Sequence, residues 1–293
     1  MPKGLMVVNA FLRAAKFDEL YGILCDSARE CGIQLSVQTN AQLCAVVDGS
    51  RFDPNEFDFV LFWDKDVTLA TQLEQRGLPV FNSADSILRC DDKALTYLTL
   101  KKAGLPMPRT IIAPKTFPAC GYPTTDFVDE AACELGLPLV LKECFGSFGQ
   151  QVYLMETVAA LREKVLSLAG TPMLFQEMVQ ESRGRDARIN TVGNRVVASI
   201  LRHSTGGDFR SNLTLGGTMA SYTPTDAEAS LALEAVRALG LTFAGVDVLF
   251  GRDGPLICEV NSNAHFKTTL TCTGVNMATE LLREIVNRLE ARV

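Results

Sequence analysis

Residues 245–261 constrain this chain more than any other stretch. Two apolar, strand-forming runs flank Gly251-Arg252-Asp253-Gly254-Pro255, a segment dense in the residues that turns require. Folding the stretch about Asp253 sets Asp247 directly across the ladder from Glu259. Side chains alternate along a strand, so Asn261 joins these two on one face, while Val246, Val248, Cys258 and Val260 are expected to point into a core. Opposed carboxylates repel each other unless a cation sits between them. Two carboxylates and an amide offer only oxygen, which suits a hard cation such as Mg2+ better than Zn2+. A solvated outer face is the commoner fate of acidic strand residues, but Leu249 shares this face and disfavours it.

A chain of 293 residues exceeds the commonest single-domain size and calls for two or three subdomains. The formal net charge of −6 argues against a general nucleic-acid binder or a protein of anionic membranes, leaving room only for a local basic pocket. Nine scattered cysteines with no CxxC pair fit reduced thiols rather than a disulfide framework or a zinc site. No apolar run approaches the roughly 20 residues that span a bilayer. The apolar segment at the start is too short for a signal peptide, so a cytoplasmic protein is the expectation.

The first 88 residues alternate apolar strands and amphipathic helices. Strands are expected at Leu5 to Val8, Ile33 to Val37, Phe57 to Trp63 and Pro79 to Asn82, with helices between them, which implies a parallel, three-layer unit. The unit has no GxGxxG, and the chain has no P-loop, so a nicotinamide enzyme has no specific support. Asn9 and Trp63-Asp64-Lys65 stand at strand ends, where ligands often bind, although ordinary loop polarity explains them equally well. Ser83 and Asp91 or Asp92 are expected to cap the next two helices. A helix over Asp126 to Leu135 follows, with strands at Leu139 to Glu143, Gln151 to Met155 and Met173 to Val179. Arg188 to Val192 and Arg195 to Leu201 flank Gly193-Asn194, a hairpin signal. The polar loop from His203 to Gly217 is long and glycine-rich, as functional loops tend to be. Helices are expected over Asp226 to Leu239 and Glu280 to Leu289.

Lys142, in an apolar strand before Gly146 and Gly149, has the reach to meet phosphates capped by the turn's backbone N–H groups. A snorkelling lysine before a hairpin turn is equally ordinary. The strand end Gln176-Glu177-Met178-Val179 can present backbone groups to an adenine ring, with Asp186 near ribose hydroxyls. Arg202 and Arg210 flank the glycine-rich loop, with Ser211 and Asn212 adjacent. Arginines opposite an acidic metal-binding face are what phosphoryl transfer needs, and surface solubility is their bland alternative. Neither His203 nor His265 has zinc-site spacing.

The order of these elements resembles the ATP-grasp superfamily, specifically its RimK-like glutamate ligases. Matching segments are Asp92-Lys93, Gly104 to Pro108, Pro138 to Lys142, Gln176-Glu177, Arg185 to Arg188, Gly207 to Leu213, Gly216-Gly217, Gly245 to Asp247 and Glu259 to Asn261. The resemblance implies an α/β chain, α+β in its C-terminal part: an ATP-grasp fold preceded by a Rossmann-like parallel-sheet domain. The expected divisions are 1–88, a central lid over 89–178, and a metal and substrate part over 179–293. The implied activity is that of an ATP-dependent carboxylate–amine ligase working through an acyl phosphate, with ATP and Mg2+, two ions or Mn2+ in their place. The substrates would be a small-molecule or peptide carboxylate and an amino acid such as glutamate, with no nucleic acid or membrane partner and a homo-oligomer left open.

By position, the resemblance gives Lys93 and Lys142 to the nucleotide phosphates, and Glu177, Met178 and Val179 to an adenine hinge. It gives Asp186 to the ribose side and Ser211 and Asn212 to ATP. Arg202 and Arg210 would serve the transferring group, Asp247, Glu259 and Asn261 the metal, and Arg188, Asn263 and Lys267 the substrate. Three departures stand out: Gln151 in place of a further glycine, Thr214-Leu215 in place of a basic residue, and Ser262 to Lys267 in place of a small glycine-containing segment. The alternative is a regulatory nucleotide-binding protein that keeps this fold without turnover; a dehydrogenase built on the N-terminal unit is remote.

Overall fold

The structure is a computed structural model, and it describes residues 1–44, 53–146, 149–211 and 217–291. The N-terminal unit comprises β1 (Lys3–Val8), α1 (Ala15–Glu30), β2 (Gln34–Thr39), β3 (Phe59–Trp63), α2 (Val67–Gln75) and β4 (Val80–Phe81). Its four strands pair in parallel in the order β2-β1-β3-β4. The near-continuous apolar runs follow from burial on both faces. Met6, Val8, Leu61 and Trp63 face one core, and Leu5, Val7, Val60 and Phe62 face another.

Two short helices lead onward, α3 (Ala84–Asp91) and α4 (Lys93–Lys102), capped by the side chains of Ser83 and Asp92. The middle sheet is built from β5 (Thr110–Ile112), β6 (Leu139–Glu143), β7 (Val152–Met155) and β8 (Met173–Glu177). It is accompanied by α5 (Asp126–Leu135), which precedes β6, and α6 (Val158–Ser167), which precedes β8. Its antiparallel order is β5-β8-β6-β7, and its core of Val128, Leu139, Leu141, Leu161, Val165 and Phe175 is its own.

The third sheet contains β9 (Arg185–Val192), β10 (Arg195–His203), β11 (Thr218–Ser221), β12 (Phe243–Gly251) and β13 (Gly254–Asn261), in the antiparallel order β11-β10-β9-β12-β13. Between β11 and β12 runs α7 (Asp226–Leu239), held at its start by a Thr225–Glu228 capping box and ended by Gly240 in the left-handed region at φ 72°. It covers one face of the sheet together with α4, burying Leu231, Val236, Tyr97 and Leu100 against Ile189, Val246, Val248 and Val260. Helices α8 (Lys267–Thr273) and α9 (Met277–Glu290) close the described chain, and α9 packs on α1.

The outer units share a core. Trp63 stacks on Phe243 with ring centroids 5.6 Å apart, and Phe266, Met277 and Leu281 join residues of β1 and β3. The buried Asn82 side chain accepts from Thr242 N at 2.6 Å and donates to the carbonyls of Phe243 and Ser262. The N-terminal and C-terminal parts therefore share one core, and the middle sheet has a further core of its own while Leu174 of β8 packs into the core beneath the third sheet.

Candidate active site

The hairpin β12–β13 sets Asp247 opposite Glu259 and Gly245 opposite Asn261, by a route that differs in detail from the simple fold about Asp253. The turn has only two residues, Arg252 and Asp253, between the paired Gly251 and Gly254, and the register shifts between Asp247 and Val248. That bulge inserts one extra residue into β13 and restores the Asp247–Glu259 pairing. Its other effect corrects an expectation: Ile257, fully buried, takes the core position opposite Val248, and Cys258 does not. The Cys258 sulfur lies 3.7 Å from Lys142 Nζ, on the side of the site.

Sheet register continues the pattern across the same face. Arg188 on β9 stands opposite Asp247 on β12, and Asp186 on β9 stands opposite Arg202 on β10. The row Arg202, Asp186, Arg188, Asp247, Glu259 is thus laid down by strand pairing alone. Arg202 is buried and donates to Asp186 Oδ1 at 2.7 Å, and its Nη2 lies 2.9 Å from Asp247 Oδ2. Arg188 Nη2 donates to the same Oδ2 at 2.8 Å and its Nε to Oδ1. Burial pushes the Asp247 carboxyl up, but the two guanidinium groups outweigh it and hold the group below the usual carboxylate range. Both oxygens of Asp186 are taken by Arg202, so its carboxylate works as the anchor of that guanidinium.

Two cavities meet at this row. The narrower, of about 110 Å³, is lined by every residue expected to hold the nucleotide other than Asn212, which lies outside the described residues along with Thr214 and Leu215. Lys142 is buried on β6, with Tyr97 Oη 3.4 Å from its Nζ. Lys93, the first residue of α4, donates to the Gly146 carbonyl at 3.3 Å and approaches Glu259 to 3.6 Å. The Glu177 side chain turns away to accept from Arg109 N at 2.8 Å, leaving the strand edge through Met178 and Val179 to face the cavity. Arg210 is held by Asp208 and donates to the Gly149 carbonyl at 2.7 Å, tying the loop after β10 to the turn of the middle sheet. Gln151 packs against the turn, and Gly146, at φ 145°, must be glycine because a Cβ there would lie 2.4 Å from the Gln151 amide oxygen.

The wider cavity, of about 440 Å³, contains Arg188, Asn261, Asn263 and Lys267. Lys93, Arg202 and Glu259 line both cavities and mark their junction. Strand-end residues Trp63 and Lys65 of the N-terminal unit also reach the wider cavity, as do Lys16 and His265. Neither Lys16 nor His265 carries a motif, and only the packing of α1 beside the segment after β13 brings them in. Gly245 lets the segment after β13 lie close against the sheet, since a Cβ there would lie 2.6 Å from Ala264 Cβ and 3.0 Å from Arg188 Cδ.

Asp247, Glu259 and Asn261 fit a hard cation in kind. All three residues stand on one sheet face and offer oxygen. In this structure the Asp247 oxygens are held by Arg188 and Arg202, so a cation there would share Asp247 with the two guanidinium groups. Two carboxylates and one amide fall short of the six ligands Mg2+ takes, as befits an ion completed by phosphates and water. Among the described residues no cluster of three His, Cys, Asp or Glu side chains offers a metal an all-protein cage.

Comparison with known proteins bears on this geometry. The model of the RimK-like ATP-grasp domain matches residues 90–285. The chain is 37% identical over 223 residues to probable alpha-L-glutamate ligase 1 of a Shewanella species, covering 75% of this chain and 71% of that one. It is 32% identical over 267 residues to the uncharacterized MG012 homolog of Mycoplasma pneumoniae, covering 90% and 92%. Among solved structures, a RimK domain protein of Sphaerobacter thermophilus superposes with a TM-score of 0.74 at 21% identity, covering 96% and 98%. D-alanine–D-alanine ligase of Bacillus anthracis superposes at 0.72 and 16% identity, covering 99% and 98%; at these identities both likenesses concern the fold.

Proposed function

This chain belongs to the RimK-like ATP-grasp family and is an ATP-dependent carboxylate–amine ligase; from that premise we propose that it joins an acceptor carboxylate to the amine of an amino acid, glutamate foremost, through an acyl phosphate. The reading rests on one observation above the others: the Asp247–Glu259 pair stands where a narrow cavity edged by lysines meets a wider basic one.

In this reading the adenine lies along the strand edge from Gln176 to Val179, and the ribose meets the Asp186–Arg202 ion pair rather than a free acid. Lys142 and Lys93 receive the phosphates at the junction. Asp247, Glu259 and Asn261 would hold Mg2+, in two ions, which when bound neutralises the phosphate charge that builds during transfer. An acceptor carboxylate oxygen attacks the γ-phosphorus, the bond to the β-bridging oxygen breaks, and ADP leaves. The chain supplies no covalent nucleophile. Arg202 and Arg188 offset charge on the transferring group, and both are kept rigid by Asp186 and Asp247. The amine then attacks the acyl carbon, the carbon–oxygen bond to phosphate breaks, and the amine proton leaves with the phosphate. The middle sheet, with its own core, covers the junction and keeps water from the acyl phosphate.

A panel of carboxylic acids and amino acids, scored by ADP formation and product mass, tests this. Amine-dependent ADP with a product heavier by the amino acid less water is expected. ADP release that ignores the amine with every acid would overturn it.

A further inference from the structure

Helices α3 and α4 run along β13 through a track of contacts. Cys90 Sγ donates to the Val260 carbonyl at 3.0 Å, Lys93 Nζ lies 3.6 Å from Glu259, and Tyr97 Oη donates to the Cys258 carbonyl at 2.5 Å. The connector beyond α4 adds the Pro106 carbonyl, which accepts from Ile257 N at 3.0 Å. β13 is the edge of its sheet, so its outward backbone groups need partners from elsewhere, and this track supplies them. Lys93 and Tyr97 stand four residues apart and so share one face of α4. Cys258 is the bulged residue of the hairpin, with no partner on β12. A bulge re-aims the side chain it carries. Here the sulfur faces Lys142 while the carbonyl meets Tyr97.

Lys142 enters this arrangement from the middle sheet. It is buried and forms no ion pair among the described residues; its polar neighbours there are Tyr97 Oη at 3.4 Å and Cys258 Sγ at 3.7 Å. A thiol is the weaker acceptor of the two. Burial pushes the ionisation of Tyr97 up, so the hydroxyl keeps its proton. That proton is committed to the Cys258 carbonyl, which leaves the oxygen lone pairs to accept from the lysine. A buried ammonium is costly without such an acceptor. At 3.4 Å the contact is longer than an ordinary hydrogen bond, so it guides the lysine without outbidding a phosphate for it. Tyr97 lies behind Lys142, outside the lining of the narrower cavity, and acts on a nucleotide only through the lysine.

Resting on the reading in which Lys142 meets the nucleotide phosphates, we propose that Tyr97 is a positioning residue of this ligase, its hydroxyl fixing the Lys142 ammonium to the bulge one residue from Glu259. The contact sets a lysine of the middle sheet in place against the metal face of the third sheet, two sheets whose strands do not pair. Without the hydroxyl, the flexible stem of Lys142 loses its one oxygen acceptor among the described residues, and phosphate affinity falls while adenine and ribose contacts persist.

Calorimetric titration of the full chain with Mg2+ and a nonhydrolysable ATP analogue reads this without any acceptor. Lys142→Met should raise the Kd of the analogue about tenfold or more, and Tyr97→Phe, which keeps the ring, should raise it about fivefold or more. In the Lys142→Met background Tyr97→Phe should change it less than about twofold, because the two side chains act through one contact. Adenosine, which has no phosphate, should bind the parent and Tyr97→Phe equally. A role in packing alone would weaken adenosine and analogue together, and by the same factor in both backgrounds; either result overturns the inference. Binding weakened by Lys142→Met but untouched by Tyr97→Phe overturns it and leaves the lysine assignment standing. Parent-like binding in both variants ends that assignment and the inference with it. Thermal unfolding without nucleotide gives a separate reading. Tyr97→Phe strands the ammonium in the parent but not in the Lys142→Met background, so it should lower the melting temperature less there. Equal losses in both backgrounds would overturn the inference. If Tyr97→Phe alone does not fold, recovery of folding in the double variant sustains it, and failure of both overturns it.

Discussion

Replacing Asp247 by Asn and Glu259 by Gln removes one charge from each side of the same ladder pair, yet the consequences for stability differ. Asp247 is 4% exposed and is shared by Arg188 and Arg202, and Arg202 is itself only 6% exposed. With Asn there, Arg202 keeps Asp186 but Arg188 loses its one carboxylate partner among the described residues. Stranding a buried charge costs about 3–5 kcal/mol. The Asn oxygen still accepts one hydrogen bond, which returns about 1 kcal/mol, so Asp247→Asn should lose about 2–4 kcal/mol. The Glu259 side chain is 33% exposed and its nearest cation, Lys93, is 3.6 Å away. Such a pair is worth about 0–1 kcal/mol, which sets the cost of Glu259→Gln. Urea unfolding of the two variants and the parent, without nucleotide or metal and at matched m-values, measures the difference directly. Both variants are expected to lose amine-dependent ADP release, and only Asp247→Asn to lose stability on this scale. Equal stabilities would refute the reasoning that Asp247 is structurally committed to the arginines before any ligand arrives.

Two further outcomes follow from single contacts. Lys142 is buried but makes no ion pair among the described residues; its neighbours Tyr97 and Cys258 have their ionisations pushed up by burial and stay neutral. Lys142→Met should therefore leave the melting temperature unchanged or raised while increasing the KM for ATP about tenfold or more, since removing an unpaired buried charge relieves desolvation; a lowered melting temperature with unchanged ATP use would contradict this. Gly245→Ala puts a methyl 2.6 Å from Ala264 Cβ and should cost about 1–3 kcal/mol in urea unfolding, with weakened acceptor use as Arg188 shifts; parent-like stability would show that the wall yields freely.

Local pattern carried much of the fold into view. Strands buried on both faces, caps at Ser83 and Asp92, the Gly193-Asn194 turn and the Gly240 stop all act within a few residues, so the sequence displays them. The Asp247–Glu259 pairing was also legible, although the symmetric fold that suggested it conceals a two-residue turn offset by a bulge. No local signal marks that bulge, and Cys258 was consequently assigned to the core. The head of α8 escaped notice because Lys267-Thr-Thr-Leu-Thr-Cys-Thr273 is rich in threonine, a modest helix former, and its placement depends on tertiary contacts. The arginine–carboxylate row depends on register between strands about 60 positions apart, as in Arg188 and Asp247. Lys16 reaches the wider cavity only through packing between the two ends of the chain.

The central claim is that the acceptor carboxylate is activated as an acyl phosphate at the junction of the two cavities. Acceptor labelled with 18O in its carboxylate, turned over with Mg-ATP and an amine, tests it most directly. One labelled oxygen should appear in the released phosphate for each amide formed, with ADP unlabelled. Unlabelled phosphate, or label appearing in AMP, would contradict the account.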